Sequence, residues 1–282
     1  MSNYHDQIVD YYRETENHYR VYWALDKTLA IHYGYWDEKV KSFPQSLLRM
    51  NEVLAETAKI QKTDRVLDAG CGVGGSSIFL AQHIGCHATG ITLSAKQVAR
   101  AFENAKDKNV SDRTDFKVMN YCKTDFPDAS FDVVWGCESI CYADSKEQFV
   151  HEAFRLLKPG GRLILADFMV PAFENNQEPS VRRWLDGWVV NFLETPDNFK
   201  KYMLEAGFED VRFRDISTHT LHSTKRLGRL YYWGKVYLAY CKIIGKTMDP
   251  IRLRNIKSAY DQYQSHRRAL WIYGMFCTTK PS

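Results

Sequence analysis

Four glycines follow a carboxylate in the stretch DAGCGVGG (68–75), where Gly70, Gly72 and Gly74 alternate after Asp68 at the end of an apolar run. A glycine-rich turn of this kind lets backbone N–H groups approach a ligand closely, at the start of a helix whose dipole favours negative charge. Gly70, Gly72 and Gly75 also satisfy the dinucleotide spacing G-x-G-x-x-G, which is a weak signal alone. The fixed anion separates the two parsings. Asp68 would repel a pyrophosphate, yet it would stabilise a cationic ligand or orient an amino group. About twenty residues on, where a dinucleotide site carries an Asp or Glu for the ribose hydroxyls, ATGITLS (88–94) presents Thr92. A second carboxylate, Glu138, ends the apolar run FDVVWGC (131–137). A carboxylate there is placed to take a proton or to sit beside developing positive charge.

These residues need a scaffold, and the chain supplies the pattern of one. From Arg65 onward short apolar runs alternate with helical stretches, the signature of a parallel sheet with crossover helices. The expected strands are RVLDA (65–69), HATGI (87–91), TDFKVM (114–119), FDVVWG (131–136), GRLILADF (161–168), FEDVRFRDIS (208–217) and LWIYGMFCTTK (270–280). LKPGG (157–161) reads as a helix stop that turns into the fifth strand. In TPDNFKKYMLEAGF (195–208), Thr195 is the expected N-cap, with Pro196 at the first helical position and Gly207 at the end. In such a sheet a ligand lies beyond the carboxyl ends of the strands, where Asp68, Thr92 and Glu138 all fall.

Taken together, VLDAGCGVGGSSIFLA, GITLS, FPDASFDVVW and RLLKPGGRLILADF resemble the class I, seven-stranded S-adenosylmethionine-dependent methyltransferases. Four motifs in order are far more specific than one glycine loop. GITLSAKQ, the CES triplet (137–139) and a helical insertion before the last strand are most similar to tocopherol, sterol and isoprenoid methyltransferases, and more distantly to cyclopropane fatty acid synthases. The implied fold is α/β, a doubly wound Rossmann-like sheet. Its expected organisation is a helical N-terminal arm or lid (1–60), a cofactor-binding core (61–221), a helical cap (222–269) and a last core strand (270–282).

The resemblance also implies the site. Asp68, Gly70, Cys71, Gly72 and Gly74 would line the methionine end of S-adenosylmethionine, a sulfonium cofactor without a phosphate whose product is S-adenosylhomocysteine. Thr92, Leu93 and Gln97 fall at the ribose, and Asn120 and Tyr121 beside the adenine, where the amide replaces the usual acidic residue and can still pair with the adenine amino group. Cys137 would pack under the sulfonium. Gln97 has a rival role, because SAKQ (94–97) is an S-x-x-Q capping box whose amide can return to the Ser94 N–H. Glu138 would face the methyl group or the acceptor as base or as stabilising anion. Tyr142, where many relatives carry His, would position the acceptor. His32, Tyr33, Tyr35 and Trp36 form an aromatic lid whose electron-rich rings suit a cation, and Tyr33 is the member assigned to the cofactor. His219 and His222 are weaker candidates for a base.

Hydrophobic content of 45% and charged content of 26% are ordinary for a globular protein, and the net charge of +4 is modest. Seven cysteines without a CxxC pair predict reduced thiols and no metal site. The polar, aromatic N-terminus lacks the apolar core of a signal peptide, and no run approaches the ~18 apolar residues of a spanning helix. The expectation is a cytoplasmic protein able to lie peripherally on a membrane. Between His222 and Leu270, eleven Lys and Arg face only Asp249 and Asp261, with seven interleaved Tyr and Trp. This cap would enclose a small lipophilic acceptor such as a quinol, a tocopherol, a sterol or a prenyl diphosphate. Its cations would meet a diphosphate, a carboxylate or an anionic bilayer. Two other readings rank lower. Cyclopropane-synthase-like chemistry is disfavoured because CESICYAD (137–144) lacks the His that typically follows the Glu. A nucleic-acid-directed methyltransferase is disfavoured because the fourth-strand motif lacks the D/N-P-P-Y/F pattern. Specific nucleic acid is not an expected partner, and oligomeric state and O- versus C-methylation stay open.

Overall fold

The computed structural model describes residues 3–23, 25–245 and 250–282. The N-terminal segment forms α1 (Tyr4–Trp23), the short α2 (Leu25–Thr28) and α3 (Phe43–Thr57). The sheet domain follows as β1 (Arg65–Ala69), α4 (Gly75–His83), β2 (His87–Thr92), α5 (Ala95–Asp107), β3 (Thr114–Val118), β4 (Phe131–Cys137), α6 (Lys146–Leu156) and β5 (Leu157–Met169). Then come α7 (Pro179–Trp188), α8 (Pro196–Ala206), β6 (Glu209–Asp215), the long α9 (Ser217–Ile243), α10 (Pro250–Arg267) and β7 (Ile272–Thr279).

All seven strands form one sheet in the order β3-β2-β1-β4-β5-β7-β6. The first five run parallel, and β7 pairs antiparallel with both β5 and β6. The chain winds outward from β1 through β2 to β3, then returns to place β4 on the other side of β1. That reversal opens a crevice at the carboxyl ends of β1 and β4, the usual ligand position in open α/β sheets.

Alternate strand residues serve two apolar layers. Val66, Val133 and Ile164 pack toward α3, α4 and α7, whereas Leu67, Val134, Leu163 and Leu165 pack toward α6 and α8. Both faces of the inner strands are buried, which is why they read as near-continuous apolar runs, whereas the edge strands β3 and β6 are largely exposed.

Helix ends follow local chemistry. Thr195 accepts from the Asn198 N–H, and Gly207 closes α8 in the left-handed region. Two boundaries differ from the sequence expectation. The fifth strand starts at Leu157, directly after α6, and LKPGG is an irregularity within it rather than a turn before it. Pairing jumps from Phe131↔Leu157 to Val133↔Arg162, and the displaced Gly160 N–H is taken up by the Lys280 carbonyl. The cap begins at Ser217, ahead of the expected His222. Asp215 Oδ1 accepts from both the Ser217 N–H at 2.8 Å and its hydroxyl at 2.5 Å, which ends the strand and starts the helix. Lys246 and Asp249, and the side chain of Arg252, lie outside the described residues. No helix among the described residues is long and apolar enough to cross a membrane.

Candidate active site

At the end of β1 the buried Asp68 accepts through Oδ2 from the Ser77 N–H at 3.1 Å and the Ser77 hydroxyl at 2.7 Å. The carboxylate thereby fastens the first turn of α4, where a helix dipole favours an anion. Burial still pushes its pKa up to about 6, against those two hydrogen bonds. The loop after it turns on three left-handed glycines, Gly70, Gly72 and Gly74, a conformation open to glycine without steric cost. Gly70 also needs the space, because a Cβ there would collide with the Ser139 side chain. The Gly70 and Cys71 N–H groups both donate to the Ile91 carbonyl at 2.9 Å, which pins the loop against β2.

A cavity with an empty volume of about 1280 Å³ opens over this loop. Asp68, Gly70, Cys71 and Gly72 line it, together with Thr92, Leu93 and Gln97 from the end of β2 and Tyr121, Cys137, Glu138 and Tyr142 from the β3 and β4 sides. Tyr33 closes it from the N-terminal segment. Two expected residues lie elsewhere. Gly74 is the left-handed N-cap of α4, and its Cα faces Phe116 and Ala101, so it shapes the loop from behind while Gly75 and Ser76 reach the cavity. Asn120 is absent from the lining because its Oδ1 accepts from the Cys122 N–H at 2.8 Å, an Asx turn that holds the amide in its own loop.

Gln97 makes one half of the capping box. Its backbone N–H donates to Ser94 Oγ, as a capped helix requires, but the side chain does not complete the box. Thr92 Oγ1 instead donates to Gln97 Oε1 at 2.6 Å. The amide oxygen is thus engaged, and the amide NH₂ is the group left to serve the cavity as a donor.

Glu138 sits just past β4 with φ +49, an uncommon conformation for a residue with a side chain. One carboxylate oxygen, Oε1, accepts from the Tyr33 N–H and from the Tyr273 hydroxyl, the latter at 2.6 Å. Burial raises its pKa to about 8, with the nearby Asp167 adding to the rise and the two donors opposing it. The Tyr33 ring stacks on Tyr273 at 5.9 Å and meets Phe168 edge-on at 5.1 Å. Glu138 is therefore a rigidly held carboxyl in an aromatic wall. Tyr142 packs against Tyr12, with ring centroids 5.7 Å apart.

Sequence reasoning expected a lid from residues 1–60 but did not name the residues of α1 that line the cavity. Ile8, Val9 and Tyr12 of α1, the segment Leu29–His32, and Trp188 all line the cavity. The aromatic N-terminus was the available signal, but nothing in it names the surface on which α1 docks. The expected lid divides. His32 and Tyr33 face the cavity, whereas Tyr35 stacks on His219 at 4.2 Å and Trp36 on His222 at 4.5 Å. Those contacts place both histidines against the loop and outside the cavity lining. His32 is the histidine at the site. Its Nδ1 lies 2.9 Å from the Tyr33 carbonyl, which can only accept, so Nδ1 carries the proton and Nε2 presents a bare lone pair. Nε2 is buried with no protein partner, and burial lowers the pKa to about 4.

Residues 67–165 match a family described as a methyltransferase domain. The chain is 35% identical over 191 residues to the 27-O-demethylrifamycin SV methyltransferase of Amycolatopsis mediterranei (strain S699), covering 67% of this chain and 70% of that one. The chain belongs to the S-adenosylmethionine-dependent methyltransferases. It is also 32% identical over 226 residues to the sterol 24-C-methyltransferase of Saccharomyces cerevisiae, covering 77% of this chain and 56% of that one. The geranyl diphosphate C-methyltransferase of Streptomyces coelicolor A3(2) shares the fold, with a TM-score of 0.76 at 19% identity over 99% of this chain and 98% of that one.

The site of this methyltransferase fits its cofactor. Among the described residues, Asp68 and Glu138 are the carboxylic acids of the lining, and no Lys or Arg lies in it. That electrostatics suits a sulfonium and an ammonium group and offers nothing to a pyrophosphate. When bound, S-adenosylmethionine supplies an electrophilic methyl group. The aromatic wall of Tyr33, Phe168 and Trp188 supplies faces that attract a cation.

Proposed function

We propose that this methyltransferase alkylates an oxygen or carbon of a small, lipophilic acceptor without a strongly anionic group, of the quinol, chromanol or sterol kind, reached at a membrane surface through the basic cap. The observation that carries this reading is the lining itself, which among the described residues combines an apolar and aromatic wall with a held carboxyl and no Lys or Arg. A prenyl diphosphate, kept open by the basic cap, would bring its negative charge to two buried carboxyl groups, a costly arrangement in a low-dielectric cavity.

Each residue then has a stated task. Asp68 and the loop glycines receive the amino-acid end of the cofactor, and Thr92 with Gln97 receives the ribose. The α1 roof excludes water and holds the acceptor in line with the methyl carbon, where orientation is the larger part of catalysis in a direct displacement. Held by Asp68, the loop glycines, Thr92 and Gln97, the cofactor would supply the methyl group from its sulfonium and would be released as S-adenosylhomocysteine. Glu138, once ionised, takes the proton lost by a hydroxyl or by the methylated carbon.

Incubation with methyl-labelled S-adenosylmethionine and a panel of quinols, sterols and prenyl diphosphates, read by mass spectrometry, tests this. Label in a quinol or sterol supports the reading. Label confined to a prenyl diphosphate would sink it.

A further inference from the structure

Helix α9 is amphipathic in an inverted sense. Its inner face carries small residues, with Thr220, Ser223, Thr224 and Gly228 buried, and a Cβ at Gly228 would touch the Tyr263 ring at 2.8 Å. Tyr231 stacks on Tyr260 of α10 at 4.2 Å. Close packing on the Tyr33–Gly34 segment, where the Gly34 N–H donates to Ser223 Oγ at 3.0 Å, and on α10 therefore uses up the small side of the helix and turns the large side outward. Trp233 is 73% exposed, Val236 63% and Ile243 83%, and Tyr232, Tyr240 and Ile244 are exposed beside them. These positions recur at intervals of three and four, so they form one continuous strip along the outer helix surface. A strip of this kind on a soluble surface marks an interaction site.

Charge decides what the strip meets. Ser217–Ile243 contains Lys225, Arg226, Arg229, Lys235 and Lys242 and no Asp or Glu. Lys225 and Arg229 are exposed on the same outer face, nearer the sheet, and Lys235 and Lys242 are exposed along the shoulders of the strip. A second copy of this chain pairing through the strip would bring one set of five cations against the same set. A nucleic-acid backbone would use the cations and leave Val236 and Ile243 in water. An anionic lipid surface uses both, since Trp and Tyr settle at the headgroup level, aliphatic groups enter the acyl boundary, and Lys and Arg reach the phosphates.

We propose that the outer face of α9 docks in the headgroup layer of an anionic phospholipid bilayer, with Trp233 and Ile243 inserted. The inner face of the same helix contributes Leu227 to the cavity wall. Docking therefore puts that wall one helix diameter, about 10–12 Å, from the lipid. The use of this proximity rests on the lipophilic-acceptor reading, whereas the docking itself does not.

Co-sedimentation of the full chain with phosphatidylcholine vesicles, with and without phosphatidylglycerol and without cofactor or acceptor, provides the test. Binding is expected only with phosphatidylglycerol and is expected to fall at high ionic strength. The double substitution Trp233→Ser with Ile243→Ser is expected to weaken it by at least about tenfold, and Lys235→Ala or Lys242→Ala by about fivefold each. Thermal melting of the variants should match the parent, because these side chains face outward. No vesicle binding, equal binding to both vesicles, or undiminished binding by the double variant would overturn the proposal. So would a concentration-dependent dimer in the absence of vesicles that the double variant abolishes. Vesicle binding by a chain that methylates no quinol or sterol dispersed in detergent would leave the docking standing and remove the acceptor reading.

Discussion

Glu138 combines three unusual properties. It has left-handed backbone, two donors on one carboxylate oxygen, and a pKa raised to about 8 by burial. If it is the base, only its ionised form works, so kcat/KM should rise with pH and level off above about 8. Glu138→Gln should flatten that limb and lower kcat by about 10²- to 10⁴-fold, with S-adenosylhomocysteine affinity retained in calorimetry. Unchanged turnover would remove Glu138 from the chemistry. The same raised pKa has a stability consequence. The folded state holds this proton more tightly than the unfolded one, so its contribution is complete below the unfolded pKa of about 4.3 and is lost as pH rises through about 8. Melting temperatures of parent and Glu138→Gln should diverge in that window, the parent losing more. Gln97→Ala offers a separate test. The backbone cap on Ser94 survives the substitution, so helix stability should hold while S-adenosylhomocysteine affinity falls about two- to tenfold, the worth of one hydrogen bond. A large loss of stability with unchanged affinity would return Gln97 to a capping role. His32 was read only as a lid ring. Its Nδ1 meets the carbonyl of the next residue, Tyr33, and only the fold buries Nε2 without a protein partner.

At the scale of elements, the sheet was legible because strands buried on both faces must be continuously apolar, and turns must carry Gly, Pro or a capping side chain. The helix from Pro196 to Ala206 was readable at both ends for that reason. The residues of the roof were not readable. The packing of Leu29 on the glycine loop is a tertiary fact, visible in Gly75, where a Cβ would collide with the Leu29 carbonyl. Gly75→Ala is therefore expected to lift the segment before His32, at a cost of about 1–3 kcal/mol in overpacking. Amide exchange near Leu29–His32 should quicken and S-adenosylhomocysteine binding should weaken, with the sheet amides unchanged. Exchange rates equal to the parent's would show that the loop and the roof are not coupled.

Across the whole molecule, charge is segregated. Among the described residues the cavity lining holds Asp68 and Glu138 without Lys or Arg, while α9 carries its five cations with none in that lining. Cofactor binding in a buried site is screened little by salt, whereas surface attraction falls within a Debye length. S-adenosylhomocysteine affinity should therefore change by less than about twofold between low and high ionic strength. A steep salt dependence would mean that cations of the cap reach the cofactor. The sequence by itself determined the sheet, the order of its motifs, the glycine loop with Asp68, and the placing of Thr92 and Glu138 at strand ends, because each of these is written in local periodicity and turn chemistry. Only the tertiary structure decided that Gly74 and Asn120 lie outside the cavity lining, that Gln97 leans on Thr92, that α1 forms the roof, and that the cap turns its aromatic and cationic side outward. Those outcomes depend on which surfaces fit closely together, and for α9 the small residues fit, so the large ones were left facing out.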